Sequence, residues 1–155
     1  SGCKHLIFRT SWVYGTRGNN FPKTMLKLAR SRTELQVISD QIGAPTGADL
    51  IADVSAIAIR HARQNPAVSG IYHLAASGST SWYEYAKLAI DFGRAKGLDL
   101  VTQSVMPILT SEYPTAACRP LNSRLDTESI CKAFSIHLPE WQSGVIRMLK
   151  EVLEK

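Results

Sequence analysis

The sequence predicts an α/β fold, a small sheet with packed helices, and three observations predict it. Short apolar runs of strand length at residues 6–8, 35–38 and 70–74 alternate with longer stretches whose apolar residues recur at helical spacing. The first run, Leu6-Ile7-Phe8, is continuously apolar rather than alternating, the pattern of a strand covered on both faces in a parallel sheet. Asn, Pro and Gly punctuate the changeovers, at Asn20, Asn65-Pro66 and Gly97.

Taken in order, the opening strand ends in Arg9, Thr10, Ser11 and Trp12, followed by a Tyr14-Gly15 turn. Asn20 is a good helix N-cap before Phe21-Pro22, because a proline near a helix start lacks only an N–H that would be unpaired anyway. That helix is expected to run to about Ser31, with Met25, Leu26, Leu28 and Ala29 inward and Lys23, Lys27 and Arg30 outward. Leu35 to Ile38 reads as a strand and residues 40–47 as a turn-rich loop. Ala48 to Gln64 is strongly amphipathic, with Leu50, Ile51, Val54, Ile57 and Ala58 at helical spacing. Asn65-Pro66 ends it, and Gly70 to Leu74 is a second short buried strand. Ser81 with Glu84 fits a capping box ahead of a helix whose inner face is Tyr85, Leu88, Ala89 and Phe92, and Gly97 stops it. Pro107 makes residues 101–108 an edge strand at best, and residues 110–120 are turn-rich. A short helix is expected from Asp126 or Thr127 to Ala133. A last one starts at Pro139 and shows Trp141, Val145, Met148, Leu149 and Val152 on one face.

Composition narrows the function classes. The 155 residues, 45% hydrophobic and 20% charged, suit one globular domain. No apolar run approaches the roughly 20 residues that span a bilayer, and no basic segment precedes an apolar signal core, so the expectation is a cytoplasmic protein without membrane contact. The net charge of +5 is scattered rather than clustered, which argues against nucleic acid and leaves a small anion such as a nucleotide diphosphate. Cys3, Cys118 and Cys131 show no C-x-x-C spacing, and His5, His61, His73 and His137 no metal-ligand spacing. They read as thiols and as structural or surface histidines.

Several residues have chemistry suited to binding a polar, anionic ligand. In an open parallel sheet the ligand crevice lies past the carboxyl ends of the strands, where this sequence places Thr10, Ser11 and Trp12. Trp12 offers a flat surface at this site edge; packing on the core is its alternative role. The loop Asp40 to Thr46 is constrained by Gly43 and Pro45, and Gln41 and Thr46 are candidates for ligand contacts unless the loop is simply a tight connection. Asn19 and Asn20 combine capping with potential ligand hydrogen bonds, the cap being the safer assignment for Asn20. Arg119 and Arg124 present planar forks suited to a diphosphate; a surface ion pair is the alternative.

The ordered set LIFRTSWVYG, GNNF, DQIGAPTGADL, GIYHLAASG, SWYEYA and RPLNSRLDT, running from about residue 5 to the C-terminus, resembles the dTDP-4-dehydrorhamnose reductases, which are extended short-chain dehydrogenases/reductases. The resemblance implies that residues 1–155 are a single domain, the C-terminal substrate-binding part of such a reductase, with residues 1–15 its last Rossmann-type strand and site loop. The N-terminal Rossmann nucleotide-binding half is absent: there is no Gly-rich dinucleotide turn. The Tyr83 to Lys87 match to Tyr-x-x-x-Lys falls in the substrate-side half, whereas the family's catalytic pair lies upstream of the LIFRTSW strand. It therefore reads as a coincidence of one helical face.

By the same resemblance the parent protein reduces dTDP-4-dehydro-L-rhamnose to dTDP-L-rhamnose with NADPH or NADH. Trp12, Asn20, Gln41, Thr46, Arg119 and Arg124 bind substrate, and Thr10 and Ser11 lie near the nicotinamide. No catalytic residue and no cofactor binding are expected of this chain alone, which is expected to be inactive. The missing N-terminal half is an expected partner, as are a second copy in a homodimer and Mg2+ at the parent's dimer interface. A regulatory or binding subunit resembling the reductase, and a nucleotide-sugar epimerase or dehydratase, stand as alternatives.

Overall fold

The computed structural model describes residues 4–113, 117 and 119–154; Cys3, Cys118 and residues 114–116 of the turn-rich stretch lie outside the described residues. The chain forms β1 (Leu6–Arg9), β2 (Val13–Tyr14), α1 (Phe21–Ala29), β3 (Glu34–Ile38), β4 (Ile42–Gly43), β5 (Thr46–Gly47), α2 (Ala48–Gln64), β6 (Gly70–His73), β7 (Thr80–Ser81), α3 (Trp82–Ala95), β8 (Ser104–Ile108), α4 (Glu128–Phe134) and α5 (Trp141–Leu153).

The helix starts follow from local chemistry. Asn20 Oδ1 accepts the Lys23 N–H at 3.1 Å and so caps α1, and Ser81 Oγ accepts the Glu84 N–H at 3.1 Å to cap α3. A left-handed Gly97, φ +79°, follows the end of α3. α1 stops at Ala29, two residues short of the expected Ser31, where the Ser31 and Arg32 N–H groups both donate to the Leu28 carbonyl.

The strands associate in four pairs rather than one continuous sheet. β1 runs parallel to β6, β2 to β5 and β3 to β8, while β4 and β7 are antiparallel. β8 is an edge strand, as Pro107 requires, since a prolyl nitrogen has no N–H for a second ladder. Three apolar clusters bind the layers together. Val54, Ala58, Leu74, Ile130 and Phe134 tie α2 and α4 to one face of the β1–β6 pair, where Leu6, Phe8 and Tyr72 point. Met25, Ala29, Leu35, Val37, Ala86 and Ile90 join α1, α3 and β3. Tyr14, Leu26, Tyr85, Trp141, Val145 and Leu149 fill the space between α3 and α5.

One expectation is corrected here. The β1 run is not covered on both faces: Ile7 is 48% and its register partner Ile71 53% exposed. The helices that cover this pair lie on a single side, and no layer of the described chain reaches the other.

Candidate functional site

Trp12 stands between β1 and β2 with φ +50°, a left-handed conformation that a bulky residue adopts only when its surroundings enforce it, at a cost of about 1–3 kcal/mol. Three contacts enforce it. The Thr46 N–H donates to the Trp12 carbonyl at 3.2 Å, extending the β2–β5 ladder by one residue. The Trp12 ring stacks on Trp82 with centroids 3.6 Å apart and planes 11° from parallel. Gly43 lies so close that a Cβ there would fall 2.5 Å from Cε2 of Trp12. Glycine is therefore required at this position by close approach rather than by its own torsions.

Trp82 opens α3 and belongs to a larger aromatic group. Phe21 lies 4.6 Å from it and Tyr85 6.2 Å, centroid to centroid, and Tyr85 in turn meets Trp141 edge-on at 5.6 Å. Its indole N–H donates to Gln41 Oε1 at 3.2 Å. Gln41, only 4% exposed, donates through Nε2 to Thr110 Oγ1 at 3.1 Å, and the Thr110 hydroxyl donates to Asp40 Oδ1 at 2.6 Å. The Thr110 N–H also donates to the Asp40 carboxylate, and these bonds, the hydroxyl's first, hold the Asp40 pKa below the ordinary carboxylate value.

The 121–124 segment is fastened to the same loop. The Ile42 N–H donates to the Leu121 carbonyl and the Ser123 N–H to the Ile42 carbonyl, each at 2.8 Å, and Ser11 Oγ donates to the Ser123 carbonyl at 3.5 Å. Asn122 Oδ1 accepts from both the backbone N–H and Nε of Arg124, at 3.1 and 3.0 Å. This pins the base of the guanidinium through Nε, while Nη1 and Nη2 have no hydrogen-bond partner among the described residues. Long-range pairing thus gathers Ser11, Trp12, Gln41 and the Arg124 segment, which the sequence separates by more than a hundred residues.

The remaining candidates take distinct places. Thr10 is exposed just past β1, and Arg119 is exposed ahead of the anchored segment. Thr46 is fully buried: its hydroxyl donates to the Ala44 carbonyl at 3.0 Å and accepts the Ala76 N–H at 3.3 Å. Its side chain, like that of Gln41, works inside the fold rather than on an open surface. Asn20, besides capping α1, donates through Nδ2 to the Gly15 carbonyl at 2.6 Å, which fixes the turn after β2. Lys87 Nζ sits 5.9 Å over the Tyr83 ring on an outer face of α3, remote in role from the gathered loops. The residues that sequence reasoning passed over are Trp82, Thr110 and Asp40. Trp82 could have been found by extending the α3 stripe of Tyr85 and Ala89 back one turn.

Two buried tyrosines back the aromatic group. Burial raises the pKa of both Tyr14 and Tyr85, with Asp49 adding to the effect on Tyr14, so both are neutral phenols. Tyr85 Oη is buried without a hydrogen-bond partner among the described residues.

Residues 1–154 match the family model described as the RmlD substrate binding domain. Over 149 residues, 96% of the chain, the sequence is 56% identical to a dTDP-4-dehydrorhamnose reductase of Escherichia coli, of which it covers 50%. Among solved structures, a dTDP-4-dehydrorhamnose reductase from Clostridium acetobutylicum superposes with a TM-score of 0.81 at 32% identity, covering 97% of this chain and 49% of that one. The reductase from Bacillus anthracis, in complex with NADP, superposes with a TM-score of 0.77 at 35% identity, over 94% of this chain and 48% of that one. The chain spans about half the length of the curated relatives it matches.

Proposed function

The chain belongs to the RmlD substrate binding domain family, and from that premise we propose that it is the dTDP-sugar-binding half of an NAD(P)H-dependent dTDP-4-dehydrorhamnose reductase. The observation that carries the reading is the meeting of Ser11, Trp12 and the Arg124 segment on the Gln41–Gly43 loop. A flat indole, a hydroxyl and a guanidinium held within one loop cluster supply the surface, the edge donors and the cation that a nucleotide sugar requires.

In this reading residues 1–15 are the last strand of the nucleotide-binding sheet and its site loop, and Thr10 and Ser11 stand nearest the nicotinamide. When bound by the upstream half, a nicotinamide would supply the hydride for reduction of a C4 carbonyl. The chain's own residues bind and orient. Trp12 flanks the hexose, Arg124 and then Arg119 meet the diphosphate, and Asn20, Gln41 and Thr46 hold the loops that carry them. The bare Ile7–Ile71 face receives the missing half. The reading also includes a cytoplasmic homodimer with Mg2+ at its interface. Among the described residues no three His, Cys, Asp or Glu gather into a cation site, so such an ion would take ligands from another copy or from the missing half. No helix among the described residues is long and apolar enough to cross a membrane.

Calorimetric titration tests the proposal. The chain should bind dTDP-L-rhamnose and dTDP more tightly than UDP, with Trp12→Ala weakening the sugar ligand and Arg124→Ala weakening both dTDP ligands. It should reduce no ketone until the upstream half is added. Failure to bind in the presence of that half would overturn the reading.

A further inference from the structure

We infer that Trp82 is a positioning residue for Trp12, and that a directional hydrogen-bond chain ending on Asp40 sets its ring plane. The inference rests on the reading of Trp12 as the sugar-facing surface. The direction of the chain follows from donor inventory alone. An ionised carboxylate only accepts, so the single Thr110 proton is committed to Asp40 across 2.6 Å. Thr110 Oγ1 must then accept from the Gln41 amide nitrogen, which turns the Gln41 oxygen toward Trp82. An indole N–H can only donate, so the last link fits without an alternative orientation. Each bond polarises the next, and Gln41 is buried enough for this to matter.

The consequence reaches Trp12 through the stack. An indole without a fixed partner could pivot about its side-chain torsions. Here the Trp82 plane is held at its N–H, and Trp12 lies parallel to it at 3.6 Å. Thr110 touches neither ring in this network, yet it belongs to the device that orients both. Ordinary core packing accounts for the aromatic cluster itself; it does not account for four polar groups of one directional sense ending on a charged acceptor.

Far-ultraviolet circular dichroism, over the strong indole Bb transition, and titration of the whole chain test this together. Two indoles stacked this closely should give an exciton couplet that Trp12→Phe and Trp82→Phe abolish and Trp141→Phe leaves in place. Thr110→Val should reduce the couplet and weaken dTDP-L-rhamnose about tenfold while sparing dTDP, and Thr110→Ser should restore both. An undiminished couplet in Thr110→Val, or equal weakening of dTDP-L-rhamnose and dTDP, would overturn the inference. Absence of binding by the unsubstituted chain even with the upstream half would sink the functional reading and the sugar-facing part of this one. The couplet would then decide alone whether the chain orients the rings.

Discussion

Substituting Gly43 by alanine should dislodge Trp12. A Cβ at this position would sit 2.5 Å from Cε2, 2.8 Å from Nε1 and 2.9 Å from Cδ2 of the indole. Carbon atoms rest about 3.5–4.0 Å apart, so the ring must retreat by about 1 Å. Neither side can give easily. Gly43 is buried and held in β4 against Thr80, and Trp12 already touches Trp82 at 3.6 Å and carries a strained backbone. Overpacking of this kind costs about 1–3 kcal/mol. Gly43 does not have a positive φ, so the exchange also restricts the unfolded chain and returns about 0.4–1 kcal/mol. The net expectation is destabilisation of roughly 1 kcal/mol, seen as a lower urea midpoint with an unchanged slope, together with loss of the Trp12–Trp82 couplet. Gly15→Ala is the control, because a Cβ there meets only Ala48 Cβ at an ordinary 3.7 Å, and it should leave stability equal or slightly raised. A Gly43→Ala chain at least as stable as the parent with its couplet intact would refute the steric argument.

Asp40 should confer a pH dependence of known sign. Its folded pKa is depressed below 3.8, so its contribution is present above that value and lost as the pH falls through the lower folded one. The stability gap between the parent and Thr110→Val, read from urea midpoints, should therefore shrink from pH 6 to pH 3; a constant gap would count against the Thr110–Asp40 bond. Tyr85→Phe removes a buried hydroxyl without a partner among the described residues. Because an unmet buried group costs about 1–3 kcal/mol, the variant should be at least as stable, and a clear drop in midpoint would show that the hydroxyl is satisfied after all. Phe134, 1% exposed between β6 and α2, should cost about 3–5 kcal/mol when cut to alanine, and a loss below 2 would mean that the α4 cluster is loosely packed.

Helices were the legible part of this sequence, and the reason is local. The α2 boundaries at Ala48 and Gln64 match the periodic stretch, and the caps at Asn20 and Ser81 make the bonds their residue types imply. The two-residue strands β2, β4, β5 and β7 left no period to read, since alternation cannot show itself over two positions. Those short pairs decide which loop side chains face inward. That is why Gln41 and Thr46, polar and in a turn-rich stretch, looked like ligand contacts yet point into the fold. Trp12 stood out in the sequence as a candidate, whereas its partner Trp82 read as an ordinary helix start. Their stack joins residues seventy positions apart, and nothing local encodes it.

The placement of strain and the bare face argue for one division of labour. The loops around Trp12 are over-determined from within: the left-handed Trp12 is held by a ladder bond, a ring stack and a glycine contact that all lie in this chain. The β1–β6 pair is the opposite case, with the paired Ile7 and Ile71 48% and 53% exposed. Two half-exposed isoleucines left in water cost free energy that a second layer would recover, whereas the loop cluster gains no further restraint from one. On the proposed reading, an upstream half that docks on Ile7 and Ile71 would therefore add stability and the nicotinamide without having to order Trp12. On this argument Trp12 and Trp82 should already be stacked in the isolated chain. A couplet that arises only when the upstream half is added would place the ordering of the site in the union of the two halves instead.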